Sequence, residues 1–122
     1  MSFFEAVAAC FSKYATFSGR ASRAEFWWFA LFNVLAALML MSLATSFVGP
    51  EIGQNVALIY NLVILSPSMA VGARRLHDMG HSGWWQLLYL TGIGSLVLFI
   101  WMMFAGNSES NRFGEPVVVQ VD

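Results

Sequence analysis

Apolar positions recur first at helical spacing and then merge into three long uncharged runs. Phe4, Val7, Phe11 and Tyr14 follow one another at intervals of three and four, while Glu5, Ser12 and Lys13 lie off that stripe. Residues 1–16 therefore predict an amphipathic helix. Ser2 and Glu5 stand at capping-box spacing at its start. Such a stripe either lies along a membrane surface or packs against neighbouring helices.

Gly19 predicts a break, and Ser22 with Glu25 repeats the capping-box spacing ahead of the first long run. Residues 26–48 give 23 positions without a charge. At about 1.5 Å per residue they reach about 35 Å, enough to cross a hydrocarbon core of about 30 Å. Trp27 and Trp28 at its start suit the headgroup level. Gly49 to Gly53, with Pro50 between them, predicts a short turn and an antiparallel return. The second run, 56–73, holds 18 residues with Asn61, Ser66, Pro67 and Ser68 inside it. It predicts a less regular span, kinked at Pro67, with Ser66, Ala70 and Ala73 allowing close packing. The third run, 84–105, holds 22 residues, starts with Trp84-Trp85 and carries Trp101 near its end. At about 33 Å it too is long enough to cross. Gly92-Ile93-Gly94-Ser95 at its centre is either a close-packing notch or a break. Residues 106–122 read as an exposed, partly ordered polar tail. The pattern predicts one all-α membrane domain over 1–122, an integral membrane helical bundle with three transmembrane helices plus the amphipathic N-terminal helix.

Composition sharpens this into a class. The chain is 58% hydrophobic and 11% charged, where soluble domains carry about 25% charged residues. The net charge of −1 and the absence of any long basic run speak against nucleic acid as a partner. Cys10 is the only cysteine, which excludes an intramolecular disulfide and a cysteine-based zinc site. The basic residues also orient the chain. With three spans, Lys13, Arg20, Arg23, Arg74 and Arg75 fall on one side and Arg112 on the other. The positive-inside rule then predicts a cytoplasmic N-terminus and a C-terminus on the outer side, which is periplasmic if the membrane is a bacterial inner one.

Candidate chemistry is concentrated in Arg74-Arg75-Leu76-His77-Asp78-Met79-Gly80-His81-Ser82-Gly83-Trp84-Trp85, which holds both histidines. An arginine at mid-membrane costs about 2.5–3.5 kcal/mol on insertion scales, so Arg74 and Arg75 mark an interface. One reading takes His77, Asp78 and His81 as metal ligands, since histidines four apart share a helix face. Against it, Gly80 and Gly83 oppose a continuous helix, and no glutamate lies between the histidines. The other reading is structural: Arg20, Arg23, Glu25, Arg74, Arg75 and Asp78 form an interfacial belt that pairs across the helix ends. Basic residues at this level also attract anionic headgroups, by about 1 kcal/mol each. No nucleophile elbow, phosphate-binding glycine loop or carboxylate pair within a span is present. No catalytic residue and no cofactor is therefore predicted. The expected role is that of a structural or interaction protein meeting membrane lipid, a second copy of itself or another membrane protein. The alternative is a membrane-embedded metal-binding protein or enzyme using His77, Asp78 and His81.

Three motifs carry a resemblance. Gly19-Arg20-Ala21-Ser22-Arg23-Ala24-Glu25-Phe26-Trp27, then Arg74-Arg75-Leu76-His77-Asp78 with Ser82-Gly83-Trp84-Trp85, then Asn111-Arg112-Phe113-Gly114 with Pro116, stand in that order. Together they resemble the domain-of-unknown-function 805 family of small bacterial inner-membrane proteins. The resemblance implies a location in the bacterial inner membrane and brings no activity with it. Where many members of that family carry Ile-Pro before the central glycine of the last span, this chain has Thr91-Gly92.

Overall fold

The computed structural model describes residues 1–117. In chain order it contains α1 (Phe3–Ser12), α2 (Arg23–Phe47), α3 (Pro50–Asp78), a 3-10 helix (Gly83–Leu90) and α4 (Gly92–Trp101). Among the described residues the fold is all-α, with a single isolated bridge between Asn111 and Gly114. The last five residues of the expected tail, including Val118, Val119 and Asp122, lie outside the described residues.

Two of the α-helices begin at serine caps. Ser2 Oγ accepts the Glu5 amide at 3.2 Å and Ser22 Oγ accepts the Glu25 amide at 3.1 Å, relieving one otherwise unpaired donor in each first turn. The capping-box reading of Glu25 stops there, because its carboxylate reaches Arg74 instead.

The buried face of α1 is not the expected stripe: Ala6 and Cys10, neither of them on it, form that face, and their small size lets α1 lie close to α2. Phe11 packs edge-on against Phe29 and Phe32, with ring centroids 5.5 and 5.7 Å away. Phe4 and Tyr14, by contrast, are 81% and 59% exposed.

The two long helices have mean hydropathies of 1.9 (α2) and 1.8 (α3), and each is long enough to cross a membrane. Their connection is tighter than the sequence suggests. Gly49 adopts φ 135°, a value open to glycine, and Pro50 is already the first residue of α3. Proline suits that position because its missing N–H would have no helical partner there. The turn expected over Gly49–Gly53 therefore shrinks to Val48 and Gly49. Gly53 sits within the helix, where a Cβ would collide with the Thr45 hydroxyl. At the far end α3 runs past the apolar 56–73 stretch to Asp78 and passes Pro67 without ending. It closes with a Schellman motif: Gly80, at φ 80°, donates to the His77 carbonyl at 3.0 Å, and the His81 amide donates to the Leu76 carbonyl at 2.9 Å.

The third apolar run does not form one helix. Thr91 is extended (φ −106°, ψ 140°), ends the 3-10 helix and caps α4, its Oγ1 accepting the Gly94 amide at 3.0 Å. Of the two sequence readings of this centre, the break is the one observed, and a capping threonine makes it without proline. The 3-10 helix spans about 16 Å and α4 about 15 Å, each about half of a hydrocarbon core. They fold back on one another. The Trp101 ring, at the end of the run, lies 4.4 Å from the His81 ring and 5.7 Å from the Trp85 ring, at its beginning.

Two apolar clusters hold these parts together. Cys10, Ala21, Phe29, Ile64 and Val71 join α1, α2 and α3. Leu76, Leu98 and Met102, with Trp27 and Leu88 against them, tie the short hairpin to the ends of α2 and α3.

Candidate functional site

Burial and charge coincide at one end of the molecule. The last turns of α3 present Arg74, Arg75 and Asp78, the start of α2 presents Glu25, and the segment before α2 presents Arg20. All five are at most 8% exposed. Arg74 Nη1 meets Glu25 Oε2 at 2.7 Å. Asp78 serves two arginines, taking Arg20 Nε on Oδ1 at 2.9 Å and Arg75 Nη1 on Oδ2 at 2.7 Å. Three arginines against two carboxylates would leave a net positive charge in a buried place, which is costly unless the remaining donors find acceptors. Backbone carbonyls supply them.

Arg20 donates to the carbonyls of Asp78 (3.2 Å), Asn107, Glu109 (2.9 Å) and Gly114 (3.3 Å). Arg75 donates to the carbonyls of Met102 (3.4 Å) and Phe104. The segment after α4 is thus stitched onto the end of α3 by two guanidinium groups. Gly106 lies against Asp78, with no room for a Cβ beside the carboxylate, and the Asn107 amide donates to the Asp78 carbonyl at 2.7 Å. Arg74 reaches the other way, to the Thr16 carbonyl at 3.2 Å, and its buried Nη2 has no partner among the described residues.

The third motif closes the site. Asn111 and Gly114 exchange backbone hydrogen bonds at 3.1 Å, and Asn111 Oδ1 accepts the Phe113 amide at 2.9 Å, a side-chain-supported turn. The Asn111 side chain donates to the His77 carbonyl at 3.0 Å, and Phe113 stacks on the His77 ring at 3.9 Å. His77 Nδ1 lies 3.0 Å from the Gly19 carbonyl. A carbonyl can only accept, so Nδ1 carries the hydrogen. Gly19, His77 and Phe113, one from each motif, meet at a single point.

Cys10 lies under this cluster, its thiol 4.0 Å from the Glu25 carbonyl. Burial pushes its pKa up to about 12, with the Glu25 charge adding to the rise and Arg74 opposing it.

Sequence reasoning named Arg20, Glu25, Arg74, Arg75 and Asp78, and these are together in the structure. Arg23 is not among them: it is exposed and, among the described residues, donates to the Met103 carbonyl alone, at 3.3 Å. His77 and His81 do not converge with Asp78 on an ion, since His77 is held by Gly19 and Phe113 and His81 lies on Trp101. Among the described residues no three His, Cys, Asp or Glu side chains come together as a metal site. The sequence reading missed the acceptors. Backbone carbonyls leave no trace in side-chain chemistry, and a count of three spans places the tail motif on the opposite side from the other two.

Residues 14–115, which contain the first two motifs, Asn111-Arg112-Phe113-Gly114 and every charged group of the cluster, match a family model described as a protein of unknown function, DUF805. The chain belongs to the DUF805 family. Inner membrane protein YhaI of Escherichia coli strain K12 is 38% identical over 102 residues, spanning 83% of this chain and 85% of that protein. Inner membrane protein YhaH of the same strain is 38% identical over 104 residues, spanning 83% and 86%. The protein YiiR, also of that strain, is 36% identical over 94 residues, covering 75% of this chain and 56% of YiiR. No solved structure matches this DUF805 chain.

Proposed function

We propose that this DUF805 chain is a structural or interaction protein of the bacterial inner membrane, whose arginine-carboxylate cluster locks the helix ends into one rigid cytoplasmic face. The observation that carries it is the convergence of all three sequence motifs on one buried cluster. The names of YhaI and YhaH support the location.

The same convergence supports two membrane crossings, α2 and α3, with the 3-10 helix and α4 as a hairpin that enters and leaves on one side. This replaces the three crossings that hydropathy alone suggests. Under this topology Lys13, Arg20, Arg23, Arg74, Arg75 and Arg112 share one side, and the connection between α2 and α3 carries no basic residue. That distribution is more one-sided than under three crossings, so the positive-inside rule favours a cytoplasmic location for both polar ends.

A charge exchange tests the role of the cluster. Glu25→Arg or Arg74→Glu alone puts two like charges in a buried place, and either lowers the amount of folded protein in the membrane. The double exchange restores opposite charges and is expected to recover much of the loss. Recovery no better than the worse single variant would refute a packing role for this pair.

A further inference from the structure

Beside the cluster, α3, the 3-10 helix and the segment before α2 enclose a cavity of about 730 Å³, within the size range of ligand sites. Its lining changes character along its length. Phe17, His77 and Ser82 form one end, level with the buried charges, and Met69, Leu87 and Leu90 form the other. Met69 stands nine residues before Asp78 on α3, so the apolar end lies about 13 Å further along the helix axis. On the topology proposed above, the cavity therefore runs from the headgroup level towards the middle of the bilayer. Trp84 and Leu90, 78% and 85% exposed, leave its side open to lipid.

The polar end has a defined chemistry. His77 commits Nδ1 to the Gly19 carbonyl and turns Nε2 towards Gly83, where the cavity lies. Ser82 Oγ accepts the Trp84 amide at 3.3 Å, which leaves its own hydrogen to donate. Among the described residues no acidic side chain lines the cavity. Beyond His77 lies Arg112, exposed and stacked over the Phe113 ring at 4.6 Å, with Phe113 in turn covering His77. Arg20, Arg74 and Arg75 are engaged by carboxylates and carbonyls, whereas Arg112, one ring beyond His77, presents its charge to the surroundings.

We infer that this cavity holds one acyl chain of an anionic phospholipid, with the headgroup at Ser82, His77 and Arg112 and the chain along Ala73, Met69 and Leu87. The proposal rests on the two-crossing reading for its place in the membrane. The pairing of apolar trough and polar mouth stands on the contacts above, and Arg112 joins it through the stack of Phe113 on His77.

The test is native mass spectrometry of the full chain released from micelles containing equal amounts of phosphatidylglycerol and phosphatidylethanolamine. The expected result is one retained lipid per chain, with phosphatidylglycerol favoured about fivefold, the preference one basic residue facing an anionic headgroup supplies. Arg112→Glu should abolish the preference. Leu87→Trp, which fills the trough from its open side, should abolish retention while leaving the helical content unchanged; Ala73→Leu fills it from α3. Retention without preference for the anionic lipid, or retention unchanged in both filled variants, would overturn the site. Lipid selectivity is read in the micelle whichever way the chain faces, so its failure is distinct from a failure of the topology, which a reporter at the C-terminus detects.

Discussion

The molecule contains two helical hairpins of similar apolar composition that behave differently. The long one, α2 with α3, turns through Val48 and Gly49, and each arm exceeds the thickness of a hydrocarbon core. The short one, the 3-10 helix with α4, turns at Thr91, and each arm reaches about halfway through such a core. Hydropathy treats the second as a crossing because it measures apolar length and is blind to a capped break inside that length. What supports the two-crossing reading lies after Thr91. The segment after α4 supplies carbonyls to Arg20 and Arg75, which holds it against the end of α3.

The strongest way to break this contrast is Asp78→Ala. It leaves Arg20 and Arg75 buried without their carboxylate, a loss of about 3–5 kcal/mol for a buried pair that keeps one member. The short hairpin and the 105–115 segment should come loose while α2 and α3 stay helical. Thermal denaturation in detergent, with limited proteolysis after residue 105, reads both effects. Gly106→Val acts on the same seam without removing a charge, since its Cβ would meet the Asp78 carboxylate. Overpacking of that kind costs about 1–3 kcal/mol, and the same protease sites should open to a smaller degree. Thr91→Ala removes the cap of α4 and should cost about 1 kcal/mol, seen as a lower melting temperature with no change in the protease pattern.

The smallest effect sharpens the contrast from the other side. Cys10 lies under the long hairpin, its thiol held protonated up to about 12 against an ordinary 9.0. Folding therefore binds the thiol proton more tightly than the unfolded chain does. The stability this contributes is complete below pH 9.0 and is lost as pH rises towards 12. Cys10→Ala should flatten that alkaline decline, with a separate loss of neutral stability for the atom removed from the buried cluster, and wild-type Cys10 should resist maleimide labelling at pH 8 until detergent unfolding exposes it.

Much of this architecture was legible beforehand, for physical reasons that also mark where legibility ends. Serine caps at Ser2 and Ser22 announce helix starts because their chemistry is local. The apolar stretch of α2 announces itself by length. Arg20, Glu25, Arg74, Arg75 and Asp78 were recognisable as a set because charges beside apolar runs need partners. The pairing Arg74 with Glu25, and the sharing of Asp78 by two arginines, were not, since pairing depends on how helices rotate against one another. Arg23 fell outside the cluster for the same reason. The role of Asn111-Arg112-Phe113-Gly114 was hidden by one local event, the cap at Thr91, on which the position of everything after it depends.

The account turns on that return, and the most direct measurement is the side of the membrane on which the segment after α4 lies. A dual reporter fused after Gly114, active as a phosphatase only in the periplasm and fluorescent only in the cytoplasm, reads it in one strain. The account predicts cytoplasmic fluorescence equal to that of a fusion before Phe3, and no phosphatase activity. Phosphatase activity after Gly114, with fluorescence before Phe3, would mean that the last run crosses the membrane and that Arg20 and Arg75 do not hold it.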